Sequence, residues 1–226
     1  MIIGICGLIG SGKGTVADLL VDEHNFQKVS FADKLKDSVS TMFDWDRALL
    51  EGDTDESRTW REQVDKFWTK ETGRTITPRL VLQEFGTECM RNGFYDNIWV
   101  SFVKKTILDN PNKNFVIPDV RFINEMSMIK ELTGQLWWVR RGQLPPWWSN
   151  AVMENKMDIS LMGMKSVFAP GEKYENIHAS ERAWALDNSK FDAIIENNST
   201  LEHLNSRVKD LLVSTSPLPF EESFGN

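Results

Sequence analysis

Cysteine is scarce in this chain, with two residues, Cys6 and Cys89, among 226. They have no metal-ligand spacing, and Cys6 falls inside an apolar run. That excludes a disulfide scaffold or a cysteine-based zinc module and reads as two reduced thiols. Long hydrophobic stretches are also missing: none approaches the roughly 20 apolar residues of a membrane span. The first residues lack a basic n-region and a cleavage site, so no signal peptide is expected. Positive charge is in deficit, with 26 Lys and Arg against 33 Asp and Glu and a net charge of −7. A broad nucleic-acid face needs a basic surface, so that function class is excluded, whereas a local basic pocket for a small anion is not. Low-complexity linkers and internal repeats are absent. The remainder is ordinary: 41% apolar residues and enough length for one medium α/β domain with a sizeable core. The expectation is a single cytoplasmic domain over 1–226 that binds neither membrane nor nucleic acid.

The chain opens with MIIGICGLIGSGKGTVADLL. An apolar run, Met1–Cys6, leads into a glycine-rich turn and then an amphipathic segment with Val16, Leu19 and Leu20 on one side. Strand, glycine loop and helix in that order form the setting of a phosphate-binding loop. Glycines let successive backbone N–H groups point inward, and the helix start adds its positive dipole end. Ile9, Gly10, Ser11, Gly12, Lys13, Gly14 and Thr15 are therefore the candidate ATP-binding residues. Lys13 supplies a mobile charge for the β- and γ-phosphates. The general motif places Ser or Thr directly after the Lys, to meet Mg²⁺, but Gly14 stands there and Thr15 follows. The run GxGKGT resembles the loop of adenylate kinase and other nucleoside monophosphate kinases, which leaves magnesium held largely through water and Thr15 facing a phosphate.

Further along, Lys28–Ala32 reads as a second strand. A helix with Leu35, Val39, Met42 and Phe43 as its stripe follows, capped by Asp33. Lys34 and Lys36 near its start are either solvated lysines or reach a phosphate at the carboxyl edge of the sheet. Residues 44–76 read as a peripheral arm with a helix around Thr59–Trp68. Thr77-Pro78 is a cap-and-first-turn signal for one helix running to Gly93. On it Arg79, Gln83 and Gly86 share a face, as a site wall or as plain solvated surface. Leu82, Phe85 and Cys89 form the opposite stripe, and Arg91 extends the basic character. Asn97–Leu108 is a helix in which Trp99 belongs to the core.

Phe115–Asp119 is a buried strand ending in an acid, the second half of a magnesium site in a P-loop fold. Pro118 marks where the strand leaves the sheet, and Arg121 lies close by. Helix Phe122–Thr133, strand Gln135–Val139 and the exit pair Arg140-Arg141 follow. Arginines at a strand exit are suited to neutralising a transferring phosphoryl group. The Trp- and Met-rich stretch 143–177 is open between a lid, a buried segment and a dimer contact. Ser180 caps a short helix, Phe191–Glu196 is the last strand, and Leu201–Val213 closes the chain. The alternation gives a three-layer α/β/α P-loop fold with a mainly parallel sheet.

Four blocks carry a wider resemblance: GLIGSGKGT, TPRLVLQEFGTECMR at 77–91, VIPDVRFINE at 116–125 and HASERAWALDNSKFDAIIEN at 178–197. With them the chain resembles the phage deoxynucleoside monophosphate kinases, P-loop kinases related to phosphomevalonate kinase. The resemblance implies transfer of the ATP γ-phosphoryl group to a deoxynucleoside 5′-monophosphate, with ATP and Mg²⁺ required, in host cytoplasm for a phage-encoded enzyme. It implies Lys13, Asp119, Arg121 and Arg140 as catalytic residues. Lys36, Arg79, Gln83, Arg91 and Glu181 then bind substrate, and Asp119 (through water) and Thr15 serve the metal. A homodimer is compatible with the family and with exposed aromatics. The rival readings are a kinase of another phosphorylated metabolite, of phosphomevalonate type, and a P-loop ATPase coupled to a partner.

Overall fold

The computed structural model describes residues 1–160, 177 and 179–215. The chain divides into two compact units, Met1–Lys28 with Asn114–Asn226, and Val29–Lys113.

The first unit is built on a five-stranded, wholly parallel sheet in the order β2-β3-β1-β4-β5. Its strands are β1 (Ile2–Cys6), β2 (Phe26–Lys28), β3 (Asn114–Ile117), β4 (Gln135–Arg140) and β5 (Ala193–Glu196). The predicted second strand, Lys28–Ala32, is displaced. Phe26 pairs with Asn114 and Lys28 with Val116. The buried Phe26 ring anchors the strand in the core, after Asn25 turns the chain at a φ of 57°. Helices α1 (Lys13–His24), α7 (Ile123–Glu131), α8 (Trp148–Ser160), α9 (Ala179–Arg182) and α10 (Leu201–Thr215) complete the unit. Because the strands are parallel and covered, they read as continuous apolar runs rather than alternating ones. Ile3, Ile5, Val116, Trp137, Val139 and Ile195 are buried with Val16, Ala17 and Leu20 of α1. Burial pushes the Cys6 thiol far up, which keeps it protonated and inert. Ser180 lies inside α9, not at its cap, and His178 lies outside the described residues.

The second unit holds α2 (Asp33–Phe43), α3 (Asp55–Glu62), α4 (Lys66–Thr72), α5 (Pro78–Gln83), a π-helix over Glu84–Asn92, and α6 (Ile98–Leu108). Its core is aromatic. Val39, Trp45, Leu50, Ile76 and Val81 are buried, with Phe43, Trp60, Trp68 and Phe85 packed against them. Phe43 stacks on Trp45 with ring centroids 4.6 Å apart. Residues 44–76 thus supply five members of one core, and the single helix expected at Thr59–Trp68 is two. Thr54 and Ser57 form a capping box at the start of α3. Asp65 accepts from the Trp68 N–H at 2.9 Å and opens α4, an N-cap in the interior of the predicted span. Helix α2 begins after Ala32. Asp33 does not cap it but accepts from the Ser30 N–H at 2.8 Å, and Met42, expected in its stripe, is 59% exposed.

Thr77 caps α5 through the Leu80 N–H, and Pro78 is its first residue, as the sequence indicates. The expected continuous α-helix to Gly93 widens to π from Glu84. The buried Trp99 indole N–H donates to Gly86 O at 3.0 Å, and a side-chain donor taking up a helix carbonyl accompanies such a break in the ladder. Gly86 does not share the exposed face of Arg79 and Gln83. Gly86 is buried, and a Cβ there would stand 2.8 Å from Leu35 Cδ2. Its close approach is to α2, not to a site wall. Cys89, expected on the core stripe, is exposed.

Candidate active site

In a parallel sheet every carboxyl end lies on one edge, and on that edge the first unit gathers its chemistry. The glycine loop leaves β1 and enters α1 at Lys13. Gly10 and Gly12 have φ of 77° and 98°, conformations open to glycine at little cost. Side-chain carbons at Gly10 or Gly14 would meet nothing within 4 Å, so the mouth of the loop is open. Ser11 is buried, its Oγ without a hydrogen-bond partner among the described residues, while Ile9 is 81% exposed and Thr15 lies at the surface.

The Lys13 ammonium folds back on the loop, donating to Gly7 O at 2.7 Å and Leu8 O at 2.9 Å. Burial lowers its pKa, Arg121 lowers it further, and Glu181, Cys6 and Asp119 oppose them. Lys13, Arg121, Glu181 and Asp119 therefore occupy one electrostatic neighbourhood. Asp119 follows the end of β3, which stops at Ile117 with Pro118 already in a turn. The Glu125 carboxylate accepts from the Arg121 and Phe122 N–H groups at 2.6 and 3.0 Å, fixing the turn between β3 and α7. The Arg121 guanidinium lies 3.3 Å from Glu181 Oε1. Arg140, at the end of β4, pairs with Glu196 through Nε at 2.6 Å and lies 5.1 Å over the Trp138 ring.

Among the described residues no group of three or more His, Cys, Asp or Glu could hold a metal, so Asp119 and the Thr15 hydroxyl do not belong to a cage built of protein alone. They suit Mg²⁺, which keeps waters and takes phosphate oxygens with one or two protein ligands.

Within the second unit, Lys36 is mostly buried and bonds Glu51 Oε2 at 2.6 Å. Glu51 also holds Arg47, which in turn bonds Asp37 at 2.8 Å. Burial would raise the Glu51 carboxyl, but Lys36 and Arg47 hold it below its usual range. Arg79 bonds Glu62 at 2.9 Å, Gln83 is exposed one turn later, and Arg91 bonds Asp96 at 2.9 Å.

A family profile described as "Deoxynucleotide monophosphate kinase" matches residues 49–146, a span that includes the blocks at 77–91 and 116–125. Over this span the chain is similar to that family. A protein of Acanthamoeba polyphaga mimivirus, provisionally named a deoxynucleotide monophosphate kinase, is 29% identical over 92% of this chain and 94% of its own. The deoxynucleoside-5'-monophosphate kinase of Escherichia phage T5 is 25% identical over 58% of this chain and 72% of its own. Among solved structures, dephospho-CoA kinase from Campylobacter jejuni aligns over 94% of this chain and 96% of that chain at 15% identity, with a TM-score of 0.42.

The sequence reading missed one contributor to the loop. Asn197, just after β5, donates from Nδ2 to Ser11 O at 2.9 Å, and a Cβ at Gly12 would stand 2.2 Å from that same Nδ2. It braces the loop across 186 positions of sequence, which no local pattern announces.

Proposed function

We propose that this protein transfers the γ-phosphoryl group of ATP to a deoxynucleoside 5′-monophosphate, giving the diphosphate. The glycine cradle carrying Lys13, with Asp119 and Arg121 in its field, is the observation that carries this reading. The names of the relatives supply the acceptor class.

The acceptor nucleophile is a phosphate oxygen, already anionic, so no general base is needed. The bond from Pγ to the β-bridging oxygen breaks, a bond from Pγ to the acceptor oxygen forms, and ADP leaves with the electron pair. Catalysis is then positioning and charge neutralisation. Lys13 exchanges the Gly7 and Leu8 carbonyls for β- and γ-phosphate oxygens, and backbone N–H groups of residues 9–15 line the phosphate path. Asp119 and Thr15 would hold Mg²⁺, which when bound would supply charge neutralisation for the phosphates. Arg121 turns from Glu181, and Arg140 from Glu196, toward the transferring group. Lys36, Arg79 and Arg91 serve the acceptor phosphate, and Gln83 its base or sugar.

ADP release from ATP and Mg²⁺ with dAMP, dGMP, dCMP, dTMP and their ribose counterparts tests the reading. Turnover that depends on one or a few deoxynucleotides is expected. Turnover only with a phosphomevalonate-type acceptor, or equal turnover without any acceptor, would replace it.

The bracing of the loop gives a second expectation. Asn197→Ala removes one neutral hydrogen bond, worth about 1 kcal/mol, and should raise the KM for ATP by roughly fivefold while the KM for the acceptor stays put. Steady-state kinetics with each substrate varied in turn would read that split, and an equal rise in both constants would count against it.

A further inference from the structure

Two arginines on α3 face the same turn and are treated differently. Arg58 is fully engaged: it donates to Gly52 O at 3.2 Å, to Asp53 O at 2.9 Å and to Asp55 at 3.0 Å. That is the behaviour of an arginine that pins a loop. Arg61, three residues later on the same helix, makes no hydrogen bond and no ion pair among the described residues. Its Nε is buried with no partner. Leaving a buried donor unmade is costly, more so when the group is charged, so the unpartnered Nε needs a reason.

The surroundings hold it in place without satisfying it. Gly52 has a φ of 70°, and a Cβ there would fall 1.8 Å from one terminal nitrogen of Arg61 and 2.0 Å from its central carbon. The guanidinium lies against bare backbone that any other residue would obstruct. The Thr54–Ser57 capping box fixes where α3 starts, and hence which way Arg61 points. Charge accumulates around it. Burial lowers its pKa first and Arg79 second, with Arg58 adding to them, while Glu62 and Glu51 oppose. Arg79 was singled out from the sequence as an acceptor-binding residue, and its guanidinium interacts with that of Arg61.

We propose that Arg61, with Arg79, forms the anion site that holds the phosphate of the acceptor nucleotide. This rests on the kinase reading for the identity of the acceptor, though not for the existence of the anion site. A phosphate monoester dianion supplies what Arg61 lacks: oxygens for its free N–H groups, in the bidentate geometry guanidinium favours, and charge that relieves the Arg61–Arg79 repulsion.

The test compares wild type with Arg61→Met and Arg61→Lys, the P-loop saturated with Mg²⁺ and a non-hydrolysable ATP analogue so that its β- and γ-phosphate positions are filled. Inorganic phosphate should raise the Tm of the wild type and leave Arg61→Met unmoved. Without phosphate, Arg61→Met should melt at the wild-type temperature or above, since it loses an unpaired cation. In turnover assays it should raise the acceptor KM by roughly 10- to 100-fold, the range of a lost charged hydrogen-bond pair, with the KM for ATP unchanged. Arg61→Lys should recover part of that loss. Phosphate protection that is equal in wild type and Arg61→Met, or absent in both, would overturn the site. Protection lost in Arg61→Met in a protein that phosphorylates none of the deoxynucleotides would keep the anion site and remove the kinase reading.

Discussion

Lys13→Met should lower kcat by about 10³-fold, the scale of losing one preorganised charge from a transition state, and yet should not destabilise the protein. The two effects come from the same geometry. Among the described residues the ammonium donates its hydrogen bonds to the Gly7 and Leu8 carbonyls. Burial, then Arg121, lowers its pKa below the ordinary lysine value of 10.5. A lysine whose pKa is depressed on folding binds fewer protons in the folded state than in the unfolded one between the two pKa values, so stability rises with pH across that window. Below the window the full cost of holding the charged side chain is present. Lys13→Met should therefore melt above the wild type at pH 7, and the advantage should shrink as pH climbs towards 10.5. Thermal melts of the two proteins from pH 7 to 10, alongside kinetics at pH 7, check both halves. A variant that loses activity and also melts lower at pH 7 would show Lys13 to be a structural strut. Adding Mg·ATP should reverse the order of stability, because phosphate oxygens then repay the ammonium's cost in the wild type alone.

Trp138→Ala should cost about 3–5 kcal/mol, the usual range for emptying a buried aromatic site. Trp138 is fully buried and sits at the centre of a ring cluster. It stacks on Trp148 at 4.9 Å and 17°, tilts against Phe191 at 5.2 Å and meets the edge of Trp184 at 6.0 Å. The cluster ties α8 and the segment before β5 to the sheet, so the cavity has several walls and little means of collapse. Because Arg140 lies over the same ring, the exit of β4 should loosen too. Trp138→Phe discriminates packing from polarity. The indole N–H of Trp138 is buried without a partner among the described residues, so its removal forfeits none of their hydrogen bonds and part of the lost contact area is offset. Urea unfolding should show a loss for Trp138→Phe less than half that for Trp138→Ala. Equal losses would mean that ring size, not burial, sets the cost.

Much of the first unit was legible because its signals are local. A strand, three glycines within six positions, a lysine and an apolar stripe are all contained in the first twenty residues, and the structure builds them as β1, the loop and α1. Thr77-Pro78 predicted a helix start for the same reason: a cap and its first turn lie four residues apart. Other readings failed where a distant partner decides. The π widening at Glu84 depends on the Trp99 indole reaching Gly86 O from thirteen residues away. The second strand lies at Phe26–Lys28 because β3 offers its register there, whereas the run KVSFA looked equally strand-like by itself.

The candidate site divides along the same line. The sequence alone determined which chemistry is present: a phosphate loop, an acid after a buried strand, and arginines at strand exits in an acidic protein. Motif spacing is a property of the chain, so no folding is needed to read it. Only the tertiary structure decided how each charge is held. It ties Lys36 to Glu51, Arg140 to Glu196 and Arg121 to Glu181, braces the loop with Asn197, and leaves the buried Arg61 Nε without a hydrogen-bond partner among the described residues. Ion pairing and desolvation depend on what packs within a few ångströms, and those neighbours come from segments that sequence order keeps apart.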